Sequence, residues 1–424
     1  FVYAISEMTY QQNKRKIIND PVYGFISIRS ELIYDILEHP WFQRLRSIKQ
    51  LGLTSYVYPG ATHTRFQHAI GALHLTCMAI ETLRNKGISI SEAEEEGTCL
   101  AILLHDCGHG PFSHALETSI ISNISHEDIS ILLMQILNEE SGGKLSLALE
   151  IFRGTYSRRF LHELISGQID MDRLDYLMRD SFFTGVIEGS VGFDRIIRML
   201  NVSKDSLVID EKGVYSIEKF LVARRLMYWQ VYMHKTVLSS ESLLVKVLKR
   251  AKELALEGTE IYATPALRFF LYNNISKEDL LTARLFTPYL IASNFTRLDD
   301  NDIMVCAKYW SDEKDPVLSD LAKRLINRDL FAIELQNEPF PETKVKKLRS
   351  CLMERLGIQT EMADYYVFSN SISNLAYTPE YPEVRILLKD GRTVNISEVS
   401  DMFDHRFISE RIIKYFLCYP KECR

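Results

Sequence analysis

The chain reads as a mainly α protein with a smaller α+β region at its C-terminal end. Three observations predict this. Glycine and proline number only 19 and 12 among 424 residues, well below the roughly 12% of an average globular chain. Apolar residues recur at helical spacing through most of the first two thirds. The last third changes character: VRILLKDGRTVNI alternates and turns at Asp390-Gly391, a strong hairpin signal.

The elements follow in order. Residues 16–30 carry Asn-Asp-Pro and Tyr-Gly and read as an extended arm with a turn, of small-hairpin type. Leu32, Ile33, Ile36 and Leu37 predict a helix closed by His39-Pro40. Trp41 to Leu51 reads as a second helix. FQHAIGALHLTCMAIETLR, 66–84, is a long apolar helix. Ser91 with Glu94 forms a capping box for the helix ending in CLAILLHD, which Gly108 and Gly110 stop. His126 to Leu137 and Leu161 to Asp180 are helical, 139–144 is a loop, and 206–216 reads as a short hairpin. Ile217 to Leu256 is one very long proline-free helical pattern. Ser276 caps a helix through Leu285, and Leu318 to Leu335 is helical again. The expected organisation is an N-terminal arm with first helices, 1–48, a helical unit, 49–260, and an α+β region, 261–424.

Composition narrows the function. Apolar residues at 46% and charged residues at 25% exclude a disordered chain. A net charge of −6 argues against broad nonspecific nucleic-acid binding. No apolar run reaches the roughly 18 residues of a bilayer span, and the start lacks a signal-peptide core. Seven scattered cysteines without CxxC predict free thiols and a reduced, cytoplasmic setting.

The chemistry concentrates in histidine. Seven of the 11 histidines fall between His63 and His126, and LLHDCGHGPFSH holds three of them beside Asp106. Neutral imidazole with carboxylate suits Mn, Fe, Zn or Ni, and Mg less well. His105 and Asp106 end a buried helix, and His68 lies in the first turn of the other. A fourth ligand is expected from QIDMDRLDYLMRD, where Asp172, Tyr176 and Asp180 share one helical face. Asp170 and Asp175 project elsewhere, as N-terminal or solvated charges. Cys107 reads as packing.

HTRFQH, HDCGHGPFSH and DMDRLDYLMRD together resemble the HD-domain superfamily, and more narrowly its deoxynucleoside triphosphate triphosphohydrolases. The resemblance runs from DPVYG to YMHK, with a weaker echo at NRDLF. It implies an HD-domain helical core, with a divalent metal on His68, His105, Asp106 and Asp172. It implies phosphate-facing histidines at His109, His114 and His126, with Glu117 orienting His114, the proton donor. Arg65 and Arg173 match phosphate contacts. Gln50, Leu51 and Asp180 match the sugar readers, and Tyr176 the filter against a 2′-hydroxyl. Arg224, Tyr232 and Lys235 match a helix closing over triphosphate and base. Lys16, Gln43 and Arg46 match a nucleotide-effector site, with Glu38 where the family has an aspartate, and Gln43, Arg44 and Arg46 alternatively form a surface ion-pair face. The implied reaction converts a dNTP to deoxynucleoside and inorganic triphosphate in a homodimer or homotetramer. An HD phosphohydrolase of another nucleotide (a monophosphate, cyclic dinucleotide or guanosine alarmone) is the alternative. A non-catalytic HD protein is opposed by the complete ligand set.

Overall fold

The computed structural model describes residues 16–28, 30–121, 123–282, 285–374, 383–402 and 412–424, without the side chains of His114, Leu356 and Asn374. The chain opens with an antiparallel hairpin, β1 (Lys16–Asp20) and β2 (Gly24–Ile28). The short helices α1 (Glu31–Glu38) and α2 (Pro40–Gln43) follow. The expected helix over Trp41–Leu51 is a correction: α2 is a single turn that tightens into a 3₁₀ segment, Arg44–Ser47. His39 and Pro40 restart the chain there, and Lys49 leaves the helical path to bridge Thr64.

Two helices form the centre. α3 (Arg65–Asn85) starts at a capping box of Thr64 with Gln67 and is buried almost all round, as a core helix should be. α4 (Glu92–Leu104) starts at the Ser91–Glu94 capping box and packs along it. Around them run α5 (Ser113–Ser119), α6 (His126–Glu140), α7 (Ser146–Phe152), α8 (Arg159–Glu163) and α9 (Met171–Thr184). The continuous helix expected over Leu161–Asp180 is broken at 164–170, because Asp170 accepts from Arg173 N and caps a new helix. α10 (Phe193–Met199) leads into β3 (Leu200–Ser203) and β4 (Ser206–Asp210). The hairpin therefore begins earlier than the 206–216 expected, turning at Lys204 and Asp205, both at positive φ.

The long pattern over Ile217–Leu256 is two helices. α11 (Val214–Met227) ends in a π turn, Tyr228–Tyr232, and α12 (Lys235–Leu256) restarts with His234 as its N-cap. A π turn adds a residue to the helical circuit and re-aims the side chains that follow. Apolar periodicity continues through it, so the sequence pattern did not register it.

The C-terminal third adds α13 (Pro265–Tyr272), α14 (Lys277–Thr282), α15 (Pro288–Phe295), α16 (Asp300–Trp310) and α17 (Pro316–Ile326). Next come β5 (Ala332–Gln336), α18 (Glu342–Leu356), α19 (Thr360–Ala363), β6 (Phe368–Asn374), β7 (Arg385–Leu387), β8 (Thr393–Asn395) and β9 (Ile412–Tyr419). The helix expected to Leu335 ends at Ile326, and Ala332–Gln336 pairs with β9 instead. β5, β9 and β6 form an antiparallel sheet, whereas β7 joins β4 in parallel and extends the first hairpin into a sheet ordered β3-β4-β7-β8. The Asp390-Gly391 hairpin forms as expected. The architecture is mainly α with a smaller α+β region, and one hydrophobic core runs from Ile26 to Tyr419. Among the described residues no helix is long and apolar enough to cross a membrane. The expectation of reduced cysteines is corrected: Cys351 and Cys423, 72 positions apart, form a disulfide, and the other five cysteines are in no disulfide.

Candidate active site

α3, α4 and α9 meet so that donor atoms from three separate stretches converge. His68 Nε2 lies 3.1 Å from Asp172 Oδ1, and His105 Nε2 lies 3.6 Å from the same oxygen. Asp106 Oδ1 is 3.3 Å from His105 Nε2, and Asp106 Oδ2 is 3.8 Å from His68 Nε2. Ligands held about 2.1 Å from one cation stand roughly 3 to 3.5 Å apart, and His68, His105 and Asp172 are close enough together to hold one, with Asp106 beside them.

The tautomers fit too. His105 Nδ1 bonds the carbonyl of Ile102 at 2.6 Å, and a carbonyl only accepts. His68 Nδ1 bonds Asp175 Oδ2 at 2.7 Å. Each ring thus spends its proton on Nδ1 and turns a bare Nε2 toward the site. Both Nε2 atoms are buried without a hydrogen-bond partner, a costly arrangement that a cation relieves. Burial opposes positive charge at His68, while the carboxylates of Asp172 and Asp175 favour it. The site attracts positive charge.

Asp175 was expected to be solvated or N-terminal; it is fully buried. Arg179 holds it through Nε and a second guanidinium nitrogen, both at 2.9 Å, and donates a third bond to Asp20 Oδ2 at 2.7 Å. Asp20 also accepts from Val22 N and Tyr23 N, closing the β1–β2 turn. One chain of bonds therefore runs from the N-terminal hairpin to a metal ligand. A side chain at Gly71 of α3 would meet Asp175 Oδ1 at 1.9 Å, so glycine there makes room for the pair. Gly108 is similarly required, since its Cβ would lie 2.1 Å from the carbonyl of His126. Arg44, weighed only as a surface charge, is buried and donates to the carbonyls of Cys107, His109 and Leu298, pinning the loop after α4.

Beside the ligand set runs a second chain. His109 Nε2 is 3.2 Å from Asp106 Oδ1, and its Nδ1 bonds Ser113 Oγ. Ser113 donates to Glu117 Oε1 at 3.0 Å, which also faces His126 Nδ1 at 3.2 Å. The rings of His109 and His126 stack at 3.9 Å. Burial and Arg65 lower the pKa of His109 to about 3, so it is neutral. For His126 burial lowers the pKa, but Glu117 outweighs it and raises it overall. The described partners of Glu117 are thus Ser113 and His126; the side chain of His114, its expected partner, lies outside the described residues. His109, Glu117 and His126 also cluster closely enough to hold an ion, although the Nδ1 of His109 already bonds Ser113.

A cavity of about 620 Å³ opens over both chains. Gln50, Leu51, Arg65, Tyr176, Asp180 and Tyr232 line it, as do Arg173 and Arg224. Arg65 donates to Asp106 Oδ2 at 2.7 Å. Arg173 is also tied to Asp170, the cap of its own helix. Gln50 Oε1 is buried and has no partner. Asp180 accepts from the Tyr232 hydroxyl at 2.7 Å and bonds His63 at 2.7 Å, a buried partner that single-residue reasoning missed. Tyr176 and Tyr232 meet edge to face, as do Tyr228 and Tyr232, because the π turn swings both aromatics inward.

Lys235 is a correction. It does not line this cavity but a separate groove with Arg328 and Lys421, since the chain restarts at His234. The expected effector residues also lie elsewhere and are occupied with one another. Lys16 pairs with Glu38, Gln43 accepts from Arg46 Nε at 2.7 Å, and the Arg46 guanidinium sits over the Phe66 ring.

The chain is similar to several known proteins. The family model described as HD associated region matches residues 191–269. The crystal structure of a phosphohydrolase from Bacteroides thetaiotaomicron is 52% identical, with a TM-score of 0.91, and the match covers 96% of this chain and 100% of that one. An uncharacterized protein of Bacillus subtilis, YwfO, is 33% identical over 98% of this chain and 95% of its own length. The deoxynucleoside triphosphate triphosphohydrolase SAMHD1 homolog of Dictyostelium discoideum is 31% identical over 56% of this chain. The match spans 50% of that relative's length.

Proposed function

The chain belongs to the HD-domain phosphohydrolase family, and from that premise we propose that it hydrolyses deoxynucleoside triphosphates to deoxynucleoside and inorganic triphosphate. One observation carries the choice of substrate: Gln50, whose Oε1 is buried without a partner, lines the same cavity as Tyr176, Asp180 and the metal ligands Asp106 and Asp172. A buried acceptor without a donor calls for a ligand hydroxyl. The activity named for the Dictyostelium relative supports the same reading.

A divalent cation on His68, His105, Asp106 and Asp172 supplies a Lewis acid and a source of hydroxide at neutral pH. The remaining roles fall to the chain. Arg65, Arg173 and Arg224 offset the triphosphate's negative charge with charge-assisted bonds. Gln50 and Asp180 bond the 3′-hydroxyl, and Tyr176 crowds the ribose face where a 2′-hydroxyl would stand. Attack at the α-phosphorus breaks its bond to the 5′-oxygen, and that oxygen needs a proton. We assign this proton to His126, the histidine whose pKa Glu117 raises. The Asp106–His109–Ser113–Glu117–His126 chain holds the donor in place.

The decisive experiment incubates the protein with Mn²⁺ and each dNTP, alone and with GTP. GTP tests Lys16, Glu38, Gln43 and Arg46 as an effector site, whose contacts with one another a nucleotide must displace. Deoxynucleoside and triphosphate are the expected products. Release of phosphate or dNMP, or turnover of only monophosphates or signalling nucleotides, overturns the substrate assignment. Size-exclusion with light scattering tests the proposed homodimer or homotetramer.

The assignment of His126 has a pH signature. A general acid must be protonated, so the rate falls as pH rises through its pKa. Glu117 raises that pKa, so Glu117→Gln should move the alkaline limb of the kcat profile to lower pH. A limb that stays in place removes His126 from the role.

A further inference from the structure

Glu241 is the one carboxylate lining the substrate cavity that the proposed mechanism does not use. It stands two turns into α12, a helix that carries no metal ligand. α12 packs against α5 and against the turn at 52–56. These elements give the cavity an apolar side of Leu53, Phe112, Ala115 and Leu238, with Ile372 of β6 beside them. Glu241 brings a carboxylate into that apolar lining. Among the described residues it has no hydrogen-bond or charge partner, and burial alone pushes its pKa up to about 7. Glu241 is half-buried, and a ligand that closes over its carboxylate must bring N–H or O–H donors to offset the lost solvent.

The ligand group it faces can be narrowed by elimination. A carboxylate repels a phosphate, and the cavity already has Arg65, Arg173 and Arg224 for the triphosphate. The sugar hydroxyl has Gln50 and Asp180. What remains of a nucleotide is the base, a flat ring suited to an apolar wall with one fixed polar group. We propose that Glu241 reads the base, accepting the N1–H and N2 amino hydrogens of guanine, and makes guanine deoxynucleotides the preferred substrates. This deepens, and rests on, the triphosphohydrolase reading. Guanine presents two adjacent donors that match the two oxygens of a carboxylate. Adenine and cytosine present one donor beside an acceptor, and thymine one donor between two acceptors, so each leaves an oxygen facing a lone pair.

The test is a competition. Equimolar dATP, dCTP, dGTP and dTTP are incubated together with Mn²⁺ and GTP, and the ratio of deoxynucleosides formed gives relative kcat/KM directly. The wild type should release deoxyguanosine about tenfold or more ahead of the others, the discrimination expected of one bidentate pair. Glu241→Gln offers one acceptor and one donor, which matches adenine and cytosine. It should lose the guanine preference by at least about tenfold while keeping turnover of dATP or dCTP, which also shows that the variant is folded. A wild type without guanine preference overturns the inference, whether or not the variant folds. So does an active variant with an unchanged ranking, and in both cases the triphosphohydrolase reading stands. No deoxynucleoside from the wild type overturns both.

Discussion

Replacing Asp172 with alanine should remove the bound divalent metal and lower phosphohydrolase turnover by about 10³-fold or more, with the helical fold retained. Asp172 Oδ1 is the oxygen shared by the two orphaned imidazoles, 3.1 Å from His68 and 3.6 Å from His105. Without it the site keeps two neutral nitrogens and Asp106, whose carboxylate is already bonded to Arg65. Two measurements separate the causes. Metal content by elemental analysis should fall below one equivalent, and circular dichroism should be unchanged. A variant that keeps full metal and full turnover would show that the ion sits elsewhere, with His109, Glu117 and His126 as the next group to test.

The largest stability effect is expected at Asp175. Its carboxylate is fully buried, accepts two bonds from Arg179 and orients His68. Asp175→Ala leaves the buried guanidinium with Asp20 alone. Removing one partner of a buried pair costs about 3–5 kcal/mol. His68 also loses the acceptor that fixes its tautomer, so metal affinity should drop roughly 10- to 100-fold in the fraction that remains folded. Denaturant unfolding of the metal-free protein reads the first effect, and metal titration the second. Arg179→Met with Asp175→Leu removes both charges of that pair and leaves Asp20 with its bonds from Val22 N and Tyr23 N. It should recover part of the stability while leaving the metal affinity weak. Equal losses for both variants would rule out the stranded charge as the source.

These two residues mark what could be read from the chain alone. Asp172 was legible because ligand chemistry restricts residue types, and because Asp172, Tyr176 and Asp180 keep helical spacing whatever surrounds them. Asp175 was not. One position in a helix tells which face a carboxylate occupies, but not that Arg179, Asp20 and Gly71 come together to bury it. The same holds for His63 on Asp180 and for Arg44 on the loop carbonyls, since each contact joins stretches far apart in the chain.

The sequence by itself determined the fold class, the capped helices, the Asp390-Gly391 hairpin and the residue types of a metal-dependent phosphohydrolase. These depend on local spacing and side-chain chemistry, which the chain carries wherever it folds. Only the tertiary structure decided where helices break without a glycine or proline, as in the π turn at Tyr228–Tyr232 that brings Tyr232 into the cavity and separates Lys235 from it. It alone decided the pairing of Ala332–Gln336 with β9, the bond from Cys351 to Cys423, and the place of Glu241 in the cavity. Each rests on a partner tens to hundreds of residues away, and local periodicity carries no record of that distance.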